Sequence, residues 1–204
     1  MLNKARVAVL VSGGGTNLQA IIDAQKNGII KSGDVVLVIS NSKDAYALER
    51  AKTNNIETAV ILRKDYESRN AFCMALGDVL EEKNIDLIVL AGFMCILTED
   101  FTKRFEGRII NVHPSLIPSF CGEGFYGLKV HEEALKYGVK VSGATVHFVN
   151  EIPDGGKIIF QKAVDIEEGD TPEILQKRIM QQAEWIILPK AVEKISKEII
   201  EKRS

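Results

Sequence analysis

Arg6-Val-Ala-Val-Leu-Val11-Ser12-Gly13-Gly14-Gly15-Thr16-Asn17 runs from an unbroken apolar segment into three glycines. Residues 6–11 read as a strand buried on both faces. Leu18, Ile21 and Ile22 then recur at helical spacing over 18–27, and Gly28 stops the helix. The same alternation continues outward. Strands are expected at 35–39, 58–62, 87–90 and 109–112. Helices are expected at 45–54, 68–83 and 98–105, with Phe72, Leu76, Val79 and Leu80 sharing a face of the second of these. Such a rhythm implies parallel strands joined by right-handed crossovers, with helices on both faces.

After Ser119 the pattern changes. A glycine- and aromatic-rich loop (121–127) leads to a short helix near 130–136. Strands at 142–149 and 157–164 are joined by the short turn 150–156, which suggests a hairpin and hence one antiparallel strand. Thr171-Pro172 can cap and open a final helix, which Pro189 must kink or divide. No linker separates these parts. The expectation is one domain, 1–204, of α/β class: a Rossmann-like, mostly parallel twisted sheet of about seven strands with helices on both faces.

The chain's 204 residues can bury a sizeable core. A formal net charge of -2 gives no electrostatic case for a nucleic-acid or membrane-surface partner. Cys73, Cys95 and Cys121 are odd in number and far apart, which fits neither a disulfide framework nor a zinc signature. A reducing cytosol, hence a cytoplasmic place, suits them best. The apolar run at the N-terminus is far too short to span a bilayer and lacks a signal-peptide cleavage site.

Three places carry candidate chemistry. Glycines in the turn 12–17 let a backbone approach a ligand closely, and the N–H groups opening the next helix suit a phosphate. The pattern is neither Gly-x-Gly-x-x-Gly nor Walker A, and a plain strand-to-helix turn stays open as a reading. In Ile109-Ile-Asn-Val-His-Pro-Ser-Leu-Ile-Pro-Ser119, Asn111 and His113 are two apart at a strand end. Their side chains therefore leave the same face, where open parallel sheets bind ligands. Asp154 sits in Asp154-Gly155-Gly156, where ordinary turn chemistry also accounts for it. His147, at a strand end, reads as a packed, hydrogen-bonded residue. His131 reads as surface or capping, and the acidic stretch 165–173 as a solvated turn and helix start.

Together, Ser12-Gly-Gly-Gly-Thr-Asn-Leu-Gln-Ala-Ile21, Leu90-Ala-Gly-Phe-Met94, Ile110-Asn-Val-His-Pro-Ser-Leu-Ile-Pro118 and Gly143-Ala-Thr-Val-His-Phe-Val149 with Asp154-Gly-Gly156 resemble the phosphoribosylglycinamide formyltransferases. The resemblance covers nearly the whole chain, with its motifs in order. It implies transfer of a formyl group from 10-formyltetrahydrofolate, as cosubstrate, to the amine of glycinamide ribonucleotide in purine biosynthesis. Asn111, His113 and Asp154 are then the catalytic trio. Gly15, Thr16 and Asn17 match the phosphate positions, and Glu184 a glutamate at the ribose. Arg69, Met94, Cys95, Ile96, Leu97 and Asn111, with Asn150, Glu151, Ile152, Pro153 and Asp154, match the folate pocket. The resemblance also suggests a nucleotide-binding half over about 1–108 and a folate-binding, catalytic half over about 109–204. A monomer or a homodimer is expected, with no metal, no nucleic acid and no membrane.

Three departures stand out. Cys95 replaces a basic residue common in the family, so contacts there should be mainly backbone. Trp185 replaces a usual histidine, with one extra residue in the local spacing. The loop 121–127 is longer than in some members and lacks a Pro-Gly.

The chemistry fits the trio. An amine attacking a formyl carbon needs donors for the developing oxyanion and a group that moves a proton to the leaving nitrogen. Asn111 is an uncharged donor, and His113 as imidazolium, favoured by the Asp154 carboxylate, adds charge stabilisation. Two alternatives remain at this level. A formyltetrahydrofolate hydrolase would use the same trio with water, and would be expected to carry an additional N-terminal domain. A non-enzymatic nucleotide-binding module would leave Asn111 and His113 structural.

Overall fold

The computed structural model describes residues 4–203. Its seven strands form one sheet in the order β3-β2-β1-β4-β5-β6-β7. They are β1 Ala5–Val11, β2 Gly33–Ser40, β3 Glu57–Val60, β4 Leu87–Leu90, β5 Ile109–His113, β6 Val141–Phe148 and β7 Ile158–Asp165. The helices are α1 Thr16–Lys26, α2 Tyr46–Thr53, α3 Arg69–Glu82, α4 Glu99–Arg104, α5 Lys129–Tyr137, α6 Pro172–Ile179 and α7 Trp185–Glu201. The α/β, mostly parallel architecture is as the sequence led one to expect, with boundaries displaced by a residue or two. β6 pairs antiparallel with both β5 and β7 and is the sheet's single reversed strand.

Strand alternation explains why both faces are covered. Val7, Val9 and Val11 of β1 point into a cluster with Leu18 and Ile21 of α1 and Leu188, Val192 and Ile195 of α7. Ala8 and Leu10 point the other way, onto Phe72, Leu76 and Leu80 of α3 and Phe101. The central strands are almost wholly apolar along their length, so the polar groups they offer to a ligand lie at their ends. The order reverses between β1 and β4, which opens a crevice beyond their carboxyl ends. There Ser12 Oγ accepts the Met94 N–H at 2.8 Å and ties the two strand-end loops together.

The division of the last helix is not at Pro189. A π turn over Met180–Glu184 separates α6 from α7, and Pro189 lies inside α7. Pro189 lies in the second turn of α7, where its missing N–H costs a single intrahelical bond and the helix continues. Thr171 caps α6 by accepting from Ile174 N, with Pro172 in the first turn. The acidic stretch before it is not simply solvated: Asp170 takes a two-pronged contact from Arg178 at 2.5 and 2.6 Å, which screens its carboxylate. No helix among the described residues is long and apolar enough to cross a membrane.

The β6–β7 hairpin carries Asp154, and Gly156 sets its closure. A Cβ on Gly156 would lie 1.8 Å from the Phe148 carbonyl oxygen. Gly156→Ala should therefore cost about 1–3 kcal/mol of stability, read as a lowered urea midpoint, because the backbone must move to fit one methyl group.

Candidate active site

β5 delivers Asn111 and His113 to one face, and its antiparallel register sets His147 of β6 directly opposite Asn111. The loop after β6 turns at Pro153-Asp154-Gly155-Gly156, where Asp154 adopts a left-handed backbone (φ 55°) and folds its side chain inward. Four groups meet its carboxylate. Asn111 Nδ2 lies 3.5 Å from Oδ1, and His147 Nε2 lies 3.4 Å from the same oxygen. His113 Nδ1 lies 3.4 Å from Oδ2, and the Gly122 N–H donates to Oδ2 at 2.9 Å. Asn111, His113 and Asp154 are thus brought together, as their sequence roles require.

The hydrogen bonds assign the ring protons. The Phe120 carbonyl can only accept, so His113 donates from Nε2 to it at 2.8 Å, leaving Nδ1 toward Asp154. The Phe148 carbonyl, 2.7 Å away, likewise places a proton on His147 Nδ1. His147 Nε2 then accepts from Asn111 Nδ2 at 3.2 Å. His147 is packed and hydrogen-bonded, as expected, but its partners are the trio itself. Its strand register opposite Asn111 is the signal that would have revealed this.

Burial dominates His113. Loss of water pushes its pKa below the usual histidine value, and the His147 charge adds to that. The Asp154 carboxylate and the Phe120 carbonyl oppose it. The upward push expected from Asp154 is present but smaller than the cost of burying the charged ring, so the imidazole is neutral at rest near pH 7. Burial pushes Asp154 up, yet its close approach to His147, the attraction of His113 when that ring is protonated and the Gly122 N–H outweigh it and hold the carboxyl below its ordinary value.

A cleft of about 850 Å³ runs past this cluster. One end is lined by Thr16, Asn17, Met180 and Glu184; the other by Met94, Cys95, Ile96 and Pro153. A smaller cavity of about 140 Å³ continues from the second end between Leu97, Val149 and residues 150–153. Asn111 and Asp154 line both spaces. Arg69, at the start of α3, lines neither, although its charge is felt at the Cys95 thiol, which burial pushes up.

Gly15 sits at the left-handed position before α1, with φ 71°. A Cβ there would meet Ala47 of α2 at 2.6 Å, so this glycine serves the packing of α2 against the turn. Gly13 and Gly14 would meet nothing within 4 Å, and they leave the turn open toward solvent. The first N–H groups of α1 have no partner within the helix. Glu184, delivered by the π turn, is buried and accepts from Asn17 Nδ2 at 2.6 Å. Asn17 Oδ1 is itself buried without a partner.

His131 overturns its surface reading. It is fully buried, lines the large cleft, and neither ring nitrogen has a partner. Burial, then the His113 charge, brings its pKa down to about 4, so the ring stays neutral. Its amphipathic helix turns that face inward and packs against α6, a long-range contact that local sequence did not reveal.

The match to the formyl transferase family model spans residues 5–192, and the chain belongs to that family. Among similar proteins, a phosphoribosylglycinamide formyltransferase of Haemophilus influenzae is 47% identical, over 90% of this chain and 84% of its own length. The trifunctional purine biosynthetic protein adenosine-3 of Gallus gallus is 46% identical over 95% of this chain, which spans only 19% of that longer protein. The crystal structure of glycinamide ribonucleotide transformylase 1 from Symbiobacterium toebii superposes with a TM-score of 0.89 at 43% identity, covering 96% of this chain and 89% of that one.

Two titrations follow from this geometry. Asp154→Asn removes the charge that raises His113, so the His113 pKa should fall further; an NMR titration checks it, and an unchanged value excludes electrostatic coupling. Glu184 is pushed from 4.5 up to about 6, mainly by burial and against the Asn17 hydrogen bond. The folded state therefore holds this proton more tightly than the unfolded one. Its contribution is full below pH 4.5 and is lost as pH rises to about 6. Glu184→Gln keeps an acceptor for Asn17 and removes this penalty. It should flatten stability across that window and gain up to about 2 kcal/mol at neutral pH, measured by urea melts at a series of pH values.

Proposed function

We propose that this protein transfers the formyl group of 10-formyltetrahydrofolate to the primary amine of glycinamide ribonucleotide, releasing N-formylglycinamide ribonucleotide and tetrahydrofolate in de novo purine biosynthesis. The observation that carries it is the placing of Asn111 and Asp154 at the junction of two spaces. A donor in one and an acceptor in the other would meet at an amide, an imidazole and a carboxylate. The names of the relatives favour a nucleotide acceptor over water and an enzyme over a binding module.

In this reading the acceptor lies along the Thr16–Asn17 end. Its phosphate faces the turn 12–17 and the helix start, and its ribose hydroxyls face Glu184 and the unpartnered Asn17 Oδ1. The smaller cavity is walled by Leu90, Phe93, Leu97 and Val149, with backbone from 150–153 at its edge. That suits a flat, edge-polar ring system, with Cys95 adding little charge. Bound there, the folate supplies a formyl carbon on a nitrogen able to leave. Residues up to about 108 then serve mainly the nucleotide, and those beyond mainly the folate and the chemistry, within one unit.

The resident side chains divide the work. Asn111 Nδ2 has one firm acceptor in His147 and a weak 3.5 Å contact to Asp154, which it can exchange for the charging formyl oxygen. His113, neutral at rest, can take a proton on Nδ1 as the amine loses one, and Asp154 at 3.4 Å stabilises the imidazolium. That cation adds to oxyanion stabilisation before its proton passes to the leaving nitrogen. A cytoplasmic place accords with three free thiols.

Tetrahydrofolate release, followed with and without glycinamide ribonucleotide, tests the acceptor. Release should depend on the nucleotide, and equal rates would identify water instead. Asp154→Asn should lower kcat by about 10²–10⁴-fold with nucleotide affinity nearly intact.

A further inference from the structure

The loop between β5 and α5 touches the catalytic cluster twice through its backbone, at the Phe120 carbonyl and the Gly122 N–H. Phe120 stands in the left-handed region, with φ 49°. An aromatic residue enters that region only against a steric penalty, so something must hold it there. Its ring is met edge-on from two sides, by Phe125 at 6.4 Å and by Tyr137 at 6.0 Å between centroids. Tyr137 is the last residue of α5 and is 81% exposed. It lines neither space of the cleft.

We propose that Phe120, gripped between Phe125 and Tyr137, is a positioning residue that fixes the tautomer of His113. The grip holds the Phe120 backbone in its left-handed turn and aims the carbonyl at Nε2. A carbonyl can only accept, so the neutral ring must carry its proton on Nε2. Nδ1, facing Asp154, is then the nitrogen left to gain and lose a proton. Were the carbonyl to swing away, the proton could move to Nδ1 and be donated to Asp154, which would block that nitrogen as a base. The titratable groups facing the ring are Asp154 on the hairpin loop, His147 on β6 and His131 on α5. None of them is altered by changing Tyr137 or Phe120. The activity arm of the test rests on the formyl transfer proposed above; the spectroscopic arm does not.

Nitrogen NMR of the histidine rings, without substrate, on wild type, Tyr137→Phe, Tyr137→Ala and Phe120→Ala tests this directly. Wild type and Tyr137→Phe should show His113 as the Nε2–H tautomer. In Tyr137→Ala the ring should become a mixture of tautomers. Its kcat should fall by about threefold to tenfold, with KM for either substrate changed by less than about twofold. Phe120→Ala should show the same change more strongly. An unchanged His113 tautomer in Tyr137→Ala overturns the proposal, whether or not kcat falls, because a loss with the tautomer intact would assign the rings to loop closure. Tyr137 is at the surface, so this arm survives even if Phe120→Ala fails to fold. A wild type that shows the tautomer but no formyl transfer would sink the functional reading and leave the positioning role standing.

Discussion

A carboxylate sunk beneath a surface must be met by polar partners or lose its charge, and four groups meet Asp154. Asn111 and His113 come from one strand, His147 from the next, and the Gly122 N–H from the loop between β5 and α5. These partners come from β5, β6 and the loop between β5 and α5, so the cluster around the anion forms only when the sheet, the hairpin and that loop are all in place. The result is a carboxyl held below its ordinary value beside an imidazole also held below its own.

The scaffold makes this possible with an apolar centre to the sheet. Valines and leucines alternate along β1 into two separate cores, one roofed by α1 and α7 and the other by α3. The carboxyl ends of β1, β4 and β5 open onto the cleft beside the reversal of strand order, and there Ser12, Asn111 and His113 appear. β6 then runs back against β5, which is how a histidine far along the chain comes to face Asn111. The single reversed strand also returns the hairpin tip to the cleft, so that Asp154 arrives from above the strand ends.

Glu184 shows how a local irregularity can preserve a distant contact. A residue inserted in a regular α-helix would rotate everything after it by about 100°. The π turn at Met180–Glu184 widens the helix locally, and Glu184 is its last residue. Glu184 still meets Asn17, from which it is separated by 167 positions. Pro189 sits within α7 without dividing it.

Hydrophobic period and glycine placement determined the strands, the helices, the phosphate-type turn and the pairing of Asn111 with His113 on one face, since these depend on neighbours a few residues away. The motifs in their order were enough to suggest the formyl transferase family. Tertiary structure alone decided how deeply each polar group is buried and what it meets. Burial reversed the expected sign at His113, took His131 from the surface to the wall of the cleft, and made His147 a partner of the trio. It also gave Gly15 a packing role against Ala47. Desolvation and long-range contact are sums over atoms that the sequence scatters and only the folded chain assembles, so local pattern carries no record of them.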